Sequence, residues 1–472
     1  MLKKISEVQE ERGVSVRGEI FKILETPQFL VYTLSDETGI IDVSSEAHFA
    51  VGDAIEASGN TRFRGNFLQL YAESAKKLEG EEAHALKERV ANELDKEAEP
   101  FDAVPLFQDA IMEALAPLIR GSAKRIRCAV LTFRPILIRY HSDADGICGG
   151  ISLMLAIKKL IGEERRPFYL FQNNSAIYKT ADALRDINTL RNLNPATREP
   201  LVLLVDFGVN PDSEGAIAIL KGAGFEVLAV DHHPTPSTPK GIDSLVSPWS
   251  ANGTSDYTAG MLACEVAKRV EKIDVEELQR ISLTGDKSKL STPTDELKKK
   301  ATTLDFLATY SKFPNTLEFY YSVLLNDTLL TSIYAQATER MERSKEIAKE
   351  FVTDKTFPNG IRCIFVRLDR AVKKGEFPSK GKACGKIHEE LAENESGPLV
   401  TVGYGGHFIT VRANEVARSR GFSANKIIAN IKEEYKNALE SGGGHDVAAS
   451  LKINKGFGKL VLEEFVKQIK AL

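Results

Sequence analysis

The chain is poor in the residues that would place it in several familiar classes. It holds one Trp, five Met and eight His in 472 residues. Its five cysteines, Cys128, Cys148, Cys264, Cys363 and Cys384, are odd in number, widely spaced and without a CxxC pair. That pattern argues against a disulfide scaffold and a zinc knuckle, and for reduced thiols in a cytoplasmic protein. No run of about 20 apolar residues occurs, so no membrane-spanning helix is expected. The charged start, Leu2-Lys3-Lys4-Ile5-Ser6-Glu7, does not read as a signal peptide. Neither sign of charge dominates: 62 basic against 66 acidic side chains leave a net −4. Contact with nucleic acid would therefore have to use local patches. There is no internal repeat and no low-complexity tail. A hydrophobic content of 43% suits globular cores, and the length suggests about three domains. A charged fraction of 27%, rich in Lys and Glu, is found in heat-adapted proteins and in many others.

Residues 1–78 alternate as short strands. Val14, Val16, Gly18 and Ile20 open the first, and Phe29 to Leu34, Ile40 to Val43, Val51 to Ala57 and Phe67 to Tyr71 follow. Five short strands with a Gly near the bend of the first predict a small closed barrel, and the pattern resembles the OB-fold. The expected hairpin tip, Thr61-Arg62-Phe63-Arg64-Gly65, is where OB-folds often touch nucleic acid. Arg62 and Arg64 would meet phosphates and Phe63 would stack on a base. A solvated hairpin on a protein-docking barrel is the alternative. Residues 79–124 form a charge-dense helical connector ended in part by Pro100, then an amphipathic stretch from Leu106 to Ile119. Residues 125–290 read as a parallel α/β core beginning near Cys128. Residues 291–352 read as helices without strands, bridging two lobes or presenting a partner surface. Residues 353–472 begin a smaller α/β pattern that contains a Gly-rich loop, Ser441-Gly442-Gly443-Gly444-His445-Asp446.

The chemistry concentrates where apolar runs of the core end. Pro135 to Tyr140 runs into His141-Ser142-Asp143-Ala144-Asp145-Gly146, Leu201 to Val205 into Asp206, and Phe225 to Val230 into Asp231-His232-His233. Short apolar runs between helical patterns read as buried parallel strands, and ligands bind outside the carboxyl ends of such strands. Seven carboxylates and imidazoles on one edge repel unless a cation lies between them. Imidazole with carboxylate suits Mn2+, with Mg2+ or Zn2+ less ideal. Asp206 could bridge two ions, with His232 as a further nitrogen ligand. Two ions about 3.5–4 Å apart would activate a bridging water and clamp a phosphate. Alone, the first segment is a polar turn capping a helix; the three strand ends together are not explained that way. Three glycines before His445 read as a backbone nest for an anion.

These motifs, with Gly442-Gly443-Gly444-His445, resemble those of the DHH phosphoesterase superfamily, which pairs a metal-binding DHH domain with a smaller substrate-binding DHHA1 domain. The resemblance covers roughly residues 125–472. It implies His141 and Asp143 on one metal, Asp145 and His232 on the other, Asp206 bridging, and Asp286 in Leu283-Thr284-Gly285-Asp286-Lys287 joining the second. It implies that His233 faces the scissile phosphate, that Asp231 orients a neighbouring His, and that Gly443, Gly444 and His445 bind substrate. Arg412, in Ile409-Thr410-Val411-Arg412-Ala413, matches the family's substrate-binding Arg, with Thr410 and Ala413 replacing the usual flanking serines. The barrel and the helical segment make the architecture similar to archaeal RecJ-like nucleases, in particular the GINS-associated nuclease. That implies a single-strand exonuclease for DNA, with RNA as a further substrate, using two divalent ions, preferably Mn2+, and docking on the GINS complex in DNA replication or repair. A phosphodiesterase for dinucleotides and a mainly replisome-binding protein are the alternatives. Polarity is not fixed by the sequence; the family favours 5′→3′ on DNA.

Overall fold

The computed structural model describes residues 2–162, 168–193, 196–235, 237–310, 312–373 and 375–472. Strands β1 (Val14–Glu25), β2 (Leu30–Ser35), β3 (Ile40–Ser45), β4 (Ala54–Arg64) and β5 (Phe67–Lys77) close into a barrel in the order β1-β2-β3-β5-β4. The alternation has the expected cause: Val14, Val16, Ile20, Tyr32, Leu34, Val43, Ile55 and Leu70 turn inward and are buried together. One detail differs from expectation. Arg62, Phe63 and Arg64 are the last three residues of β4 rather than a loop, and the tip is Gly65-Asn66 between the paired Arg64 and Phe67.

Helix α1 (Gly80–Glu97) and helix α2 (Ala110–Leu131) follow. Cys128, near which the core was expected to begin, lies inside α2, and the first core strand falls where the apolar run from Pro135 to Tyr140 placed it. That strand is β6 (Ile136–His141), followed by α3 (Ala144–Ile161), β7 (Phe168–Asn173), α4 (Thr180–Leu193), β8 (Leu201–Val205), α5 (Glu214–Gly222), β9 (Glu226–Val230) and β10 (Ser244–Val246). The sheet runs β10-β9-β8-β6-β7 and every pairing in it is parallel. Its strands are almost wholly apolar because both faces are covered. Helices α2, α3, α6 (Ala259–Val270) and α7 (Glu276–Gly285) pack on one face and α4 and α5 on the other. Helices α8 (Asp295–Thr309), α9 (Leu317–Leu324) and α10 (Asp327–Lys349) extend the first of these cores through Leu304, Phe306, Leu317, Tyr320 and Leu330.

The second lobe has strands β11 (Val352–Thr356) and β12 (Arg362–Arg367), helix α11 (Lys380–Ala392), strands β13 (Leu399–Gly405) and β14 (Phe408–Ala413), helices α12 (Glu415–Ser419) and α13 (Ala424–Glu434), strands β15 (Leu439–His445) and β16 (Ala448–Ile453), and helix α14 (Gly458–Lys470). Its sheet runs β11-β12-β13-β14-β16-β15. The segment expected to be a Gly-rich loop is strand β15, paired antiparallel with β16. Helix α14, not foreseen, buries Val461, Phe465 and Ile469 against this sheet.

Two placements set up the site. The barrel docks at the amino ends of the parallel strands: the Ile23 amide donates to the Ala196 carbonyl at 3.0 Å, Arg198 pairs with Glu19, and the Arg198 guanidinium lies 4.7 Å from the Phe21 ring centroid. Phe133, just before β6, packs against the Phe21–Leu86 cluster. The second lobe faces the carboxyl ends through ion pairs: Lys179–Glu440 at 3.0 Å, Lys432–Asp212 at 2.8 Å, Lys382–Asp305 and Lys287–Glu389. Among the described residues no helix is long and apolar enough to cross a membrane.

Candidate metal centre

Strands β6, β8 and β9 end side by side and deliver His141, Asp206 and Asp231 to one edge. Asp143 caps α3, accepting from the Gly146 amide at 3.0 Å. Gly146 permits a close approach rather than a turn: a Cβ there would lie 2.5 Å from the His141 carbonyl oxygen. Asp206 sits at φ +63°, a left-handed conformation uncommon for Asp. Such strain persists where the surroundings fix it, often at functional sites. The Asp206 amide donates to the Val230 carbonyl at 2.9 Å, which pins this turn to the neighbouring strand.

The two oxygens of Asp206 divide the centre. Oδ2 lies 3.1 Å from His141 Nδ1, which is 2.7 Å from Asp143 Oδ2. Oδ1 lies 3.4 Å from His232 Nε2, which is 3.2 Å from Asp286 Oδ2 and 3.9 Å from Asp145 Oδ2. His141, Asp143 and Asp206 form one group whose ligand atoms lie within 4.8 Å of one another, and Asp145, His232 and Asp286 form another. His232 Nδ1 donates to the Ser255 carbonyl at 2.8 Å, which fixes the ring so that Nε2 faces the carboxylates. The single tryptophan secures this residue, with Trp249 Nε1 donating to the His232 carbonyl at 2.8 Å.

The electrostatics describe a site that wants positive charge. Burial pushes His141 down, but Asp143 and Asp206 outweigh it and hold the imidazole well above its ordinary range. His232 is likewise raised against burial, by Asp206, Asp286 and Asp145. Burial, then the Asp206 and Asp286 carboxylates, raises Asp145 well above the carboxylate range. Asp286 is exposed at the cleft, yet the surrounding protein, opposed by His232 and aided by Asp143 and Asp206, pushes it up to about 6. Asp206 Oδ1 is buried and has no hydrogen-bond partner. An orphaned carboxylate oxygen between imidazoles and carboxylates, in an N/O donor set, fits divalent cations.

His233 stands beside this centre. Its Nδ1 lies 2.8 Å from Asp231 Oδ1, while Asp231 Oδ2 accepts from the Val209 amide at 3.1 Å. Asp231 thus fixes His233 and is itself fixed by the loop after β8. From the second lobe, His445 stacks on His233, ring centroids 5.5 Å apart and planes 6° apart. Burial, with His233 and His232 nearby, pushes His445 down to about 3, so it is a neutral imidazole. Gly443 and Gly444 lie on β15, not in a nest. A Cβ on Gly443 would meet Asn210 Nδ2 at 3.1 Å, and one on Gly444, at φ +141°, would lie 2.5 Å from the Ala448 carbonyl oxygen. Among the described residues Arg412, on β14, bonds only backbone carbonyls, Val411 at 2.8 Å and Gly381 at 3.1 Å.

Other residues at the cleft were not anticipated. Asp305 accepts from the Ala144 amide at 2.9 Å, inside the metal-motif turn, and pairs with Lys382 of the second lobe. Lys382 places a cationic group near Asp143 and Asp286. Asp145 also holds the fold together. It is fully buried and accepts from the Ala259 amide at 3.0 Å and the Gly260 amide at 2.9 Å, capping α6. Cys148 is fully buried in α3, away from any nucleophilic use. Arg62, Phe63 and Arg64 are not part of this centre, since the barrel docks at the other end of the strands.

A sequence model described as "DHH family, N-terminal domain" matches residues 135–285, the stretch that carries all three strand ends. The solved DHH domain of a member of the s1p family of ribosomal proteins is 30% identical, with a TM-score of 0.76 over 84% of this chain and all of that one. An uncharacterized protein of Methanocaldococcus jannaschii is 29% identical, covering 98% of this chain and 69% of its own length. The crystal structure of RecJ from Thermus thermophilus in complex with Mn2+ is 16% identical, TM-score 0.51, covering 80% of this chain and 57% of that one, a likeness of fold. With its motif strands under the family's own model and a solved relative matched from end to end, the chain belongs to the DHH family and has a RecJ-like fold.

Proposed function

We propose that the cleft hydrolyses phosphodiester bonds of single-stranded nucleic acid, DNA and by the same chemistry RNA, releasing mononucleotides from one end. The observation that carries this reading is the carboxylate of Asp206, one oxygen in the His141–Asp143 group and the other 3.4 Å from His232 Nε2 of the second group. His141, Asp143 and Asp206 would hold one divalent ion, and Asp206, Asp145, His232 and Asp286 a second, with Mn2+ preferred and Mg2+ accepted. When bound, such ions polarise phosphate and make water acidic enough to attack at neutral pH. The chain's residues then bind and orient. His233, held by Asp231, faces the scissile phosphate. Arg412 and neutral His445 donate to its free oxygens from the opposite wall, and Lys382 adds charge beside them. The family and fold support a phosphoesterase or replisome-related role at the coarser level. Docking on GINS belongs to this reading through the resemblance alone, and a pull-down with purified GINS tests it.

Single-stranded 20-mers labelled at either end, incubated with Mn2+, test the proposal. Mononucleotides released from one labelled end establish exonuclease action and its polarity. Release from neither end, with folded protein and bound metal, would sink it and favour dinucleotide substrates or a binding role.

Gly444→Ala is expected to displace β15 and with it His445. We expect kcat/KM to fall about tenfold to a hundredfold, with Mn2+ affinity by titration calorimetry unchanged. A fall in metal affinity of the same size would show that the strand supports the metal centre instead.

A further inference from the structure

We propose that Trp249, the one tryptophan of the chain, is a platform on which a nucleobase of the substrate stacks, so that the cleft selects nucleotides rather than phosphodiesters at large. The proposal deepens the phosphodiester reading above and rests on it for the phosphate, while the platform itself stands on separate observations. Trp249 is 37% exposed, although its polar edge is spent: Nε1 donates to the His232 carbonyl at 2.8 Å. The same carbonyl accepts from Ser255 Oγ at 3.0 Å, and that hydroxyl lies 3.3 Å from His445 Nδ1 of the second lobe. The indole, a histidine of the second ligand group and the opposite wall thus meet at one point of the cleft. Only the length of the His232 side chain separates the indole edge from His232 Nε2, a distance of the same order as one nucleotide.

The ring is held in place from behind. Pro248 opens a single turn, Pro248–Ala251, directly after β10, and Asn252 closes it at φ +56°. The Gly253 amide donates back to the Pro248 carbonyl at 2.8 Å. A Cβ on Gly253 would lie 3.0 Å from both Ile111 Cγ2 and the Pro248 carbonyl oxygen, so the turn sits tightly on α2. Pro248 and Gly253 are buried, and Trp249 between them is exposed. The fold therefore satisfies the indole N–H and leaves much of the ring surface open, the reverse of a tryptophan used to fill a core.

The surroundings name the ligand. Residues 244–258 contain no Lys or Arg, so this wall has no charge with which to hold a phosphate. Its carboxylate, Asp256, accepts from the Lys289 amide and from Thr254 Oγ1, both at 2.9 Å. What remains among neutral polar side chains is one π surface. A molecule that brings a phosphate to the ligand groups and a flat ring one step away is a nucleotide. Every base has a π face, so the platform takes DNA and RNA alike.

Because the chain has one tryptophan, its intrinsic emission reports on this residue alone. The probes are adenosine pentamers, DNA and RNA in separate arms, and an abasic pentamer of equal charge. All carry phosphorothioate linkages to resist hydrolysis, and Mg2+ is present. With the intact chain we expect the adenosine pentamers to quench the emission and to bind about tenfold to a hundredfold more tightly than the abasic one. By anisotropy, Trp249→Ala should remove that difference and leave abasic binding unchanged, while Trp249→Phe, which keeps a ring but no N–H, should retain most of it. Mn2+ affinity by calorimetry should be the same in all three chains. Equal binding of adenosine and abasic probes by the intact chain, or unchanged emission, would overturn the proposal. So would a Trp249→Phe chain that loses as much as Trp249→Ala together with Mn2+ affinity, because the indole would then serve only to prop His232. Hydrolysis of ordinary single strands in Mn2+ is followed in parallel. Base-dependent quenching in a chain that never hydrolyses them would refute the reading of the cleft and leave the platform standing. Hydrolysis by a chain that binds both probes equally would do the reverse.

Discussion

Asp206→Asn should lower Mn2+-dependent hydrolysis by about a thousandfold or more, ~4 kcal/mol in the barrier, while the chain stays folded. The carboxylate carries one oxygen to the His141–Asp143 group and the other to the His232–Asp286 group. An amide keeps the shape and one acceptor oxygen but removes the charge shared by both. Asn is also the right replacement for the backbone. At φ +63° most residues are strained, and Asn tolerates the left-handed region better than Ala. Asp206→Ala therefore combines the chemical loss with a backbone penalty of about 1 kcal/mol. The pair of variants separates the two effects: both should be inactive, and only Ala should melt lower. Mn2+ titration should show weaker or fewer bound ions in Asp206→Asn. Activity within tenfold of the original chain would remove the bridging role.

The second large effect concerns stability. Asp186→Ala should destabilise the core by ~3–5 kcal/mol, read in chemical denaturation by far-UV circular dichroism. Arg139 is among the largest fully buried side chains, 1% exposed, and lies on β6 two residues before His141. Its guanidinium binds both oxygens of Asp186 on α4, with Nε to Oδ2 at 2.9 Å, and Tyr178 donates to the same carboxylate at 2.6 Å. Removing the carboxylate leaves a buried cation beside the Phe171 and Tyr178 rings, with only Asp182, 3.8 Å from Nη1, as a weaker counter-charge. Replacing both partners, Arg139→Met with Asp186→Leu, should recover most of the loss, because desolvating the pair offsets much of its attraction. If the single and double variants are equally unstable, packing of α4 rather than the unpaired charge is responsible.

What could be read in the sequence was what local pattern and short range determine. The barrel strands alternate, and the core strands are apolar runs that stop at polar residues, so His141, Asp206 and His232 could be placed on one edge before any coordinates. Lys382 and Asp305 could not. They are 77 residues apart, and neither sits in a motif; only the closing of one lobe on the other makes them neighbours. Ser441 to His445 misled because three glycines weaken strand propensity. The strand forms anyway because β16 supplies a partner ladder and small residues suit the tight space beside Asn210. Helix α14 had a helical period, but nothing short-range tied it to the sheet it covers. The capping role of Asp145 was hidden for the same reason, since its partners lie more than 110 residues away.

The sheet of the second lobe has two edge strands, β11 and β15, and the chain guards them differently. Strand β11 is exposed along its whole length, but it is short and carries Asp354 and Lys355, which discourage another strand from joining. Strand β15 carries a charge only at its start, Glu440, and beyond it Gly442 to Gly444 would make a smooth template for a foreign strand. Its shield is the first lobe, which sets Asn210 against Gly443 and is held there by charges such as Lys179–Glu440 and Lys432–Asp212. The lobe that carries the metal-ligand cluster is thus also what keeps its neighbour from self-assembling, and a second lobe cut free would carry an open seam.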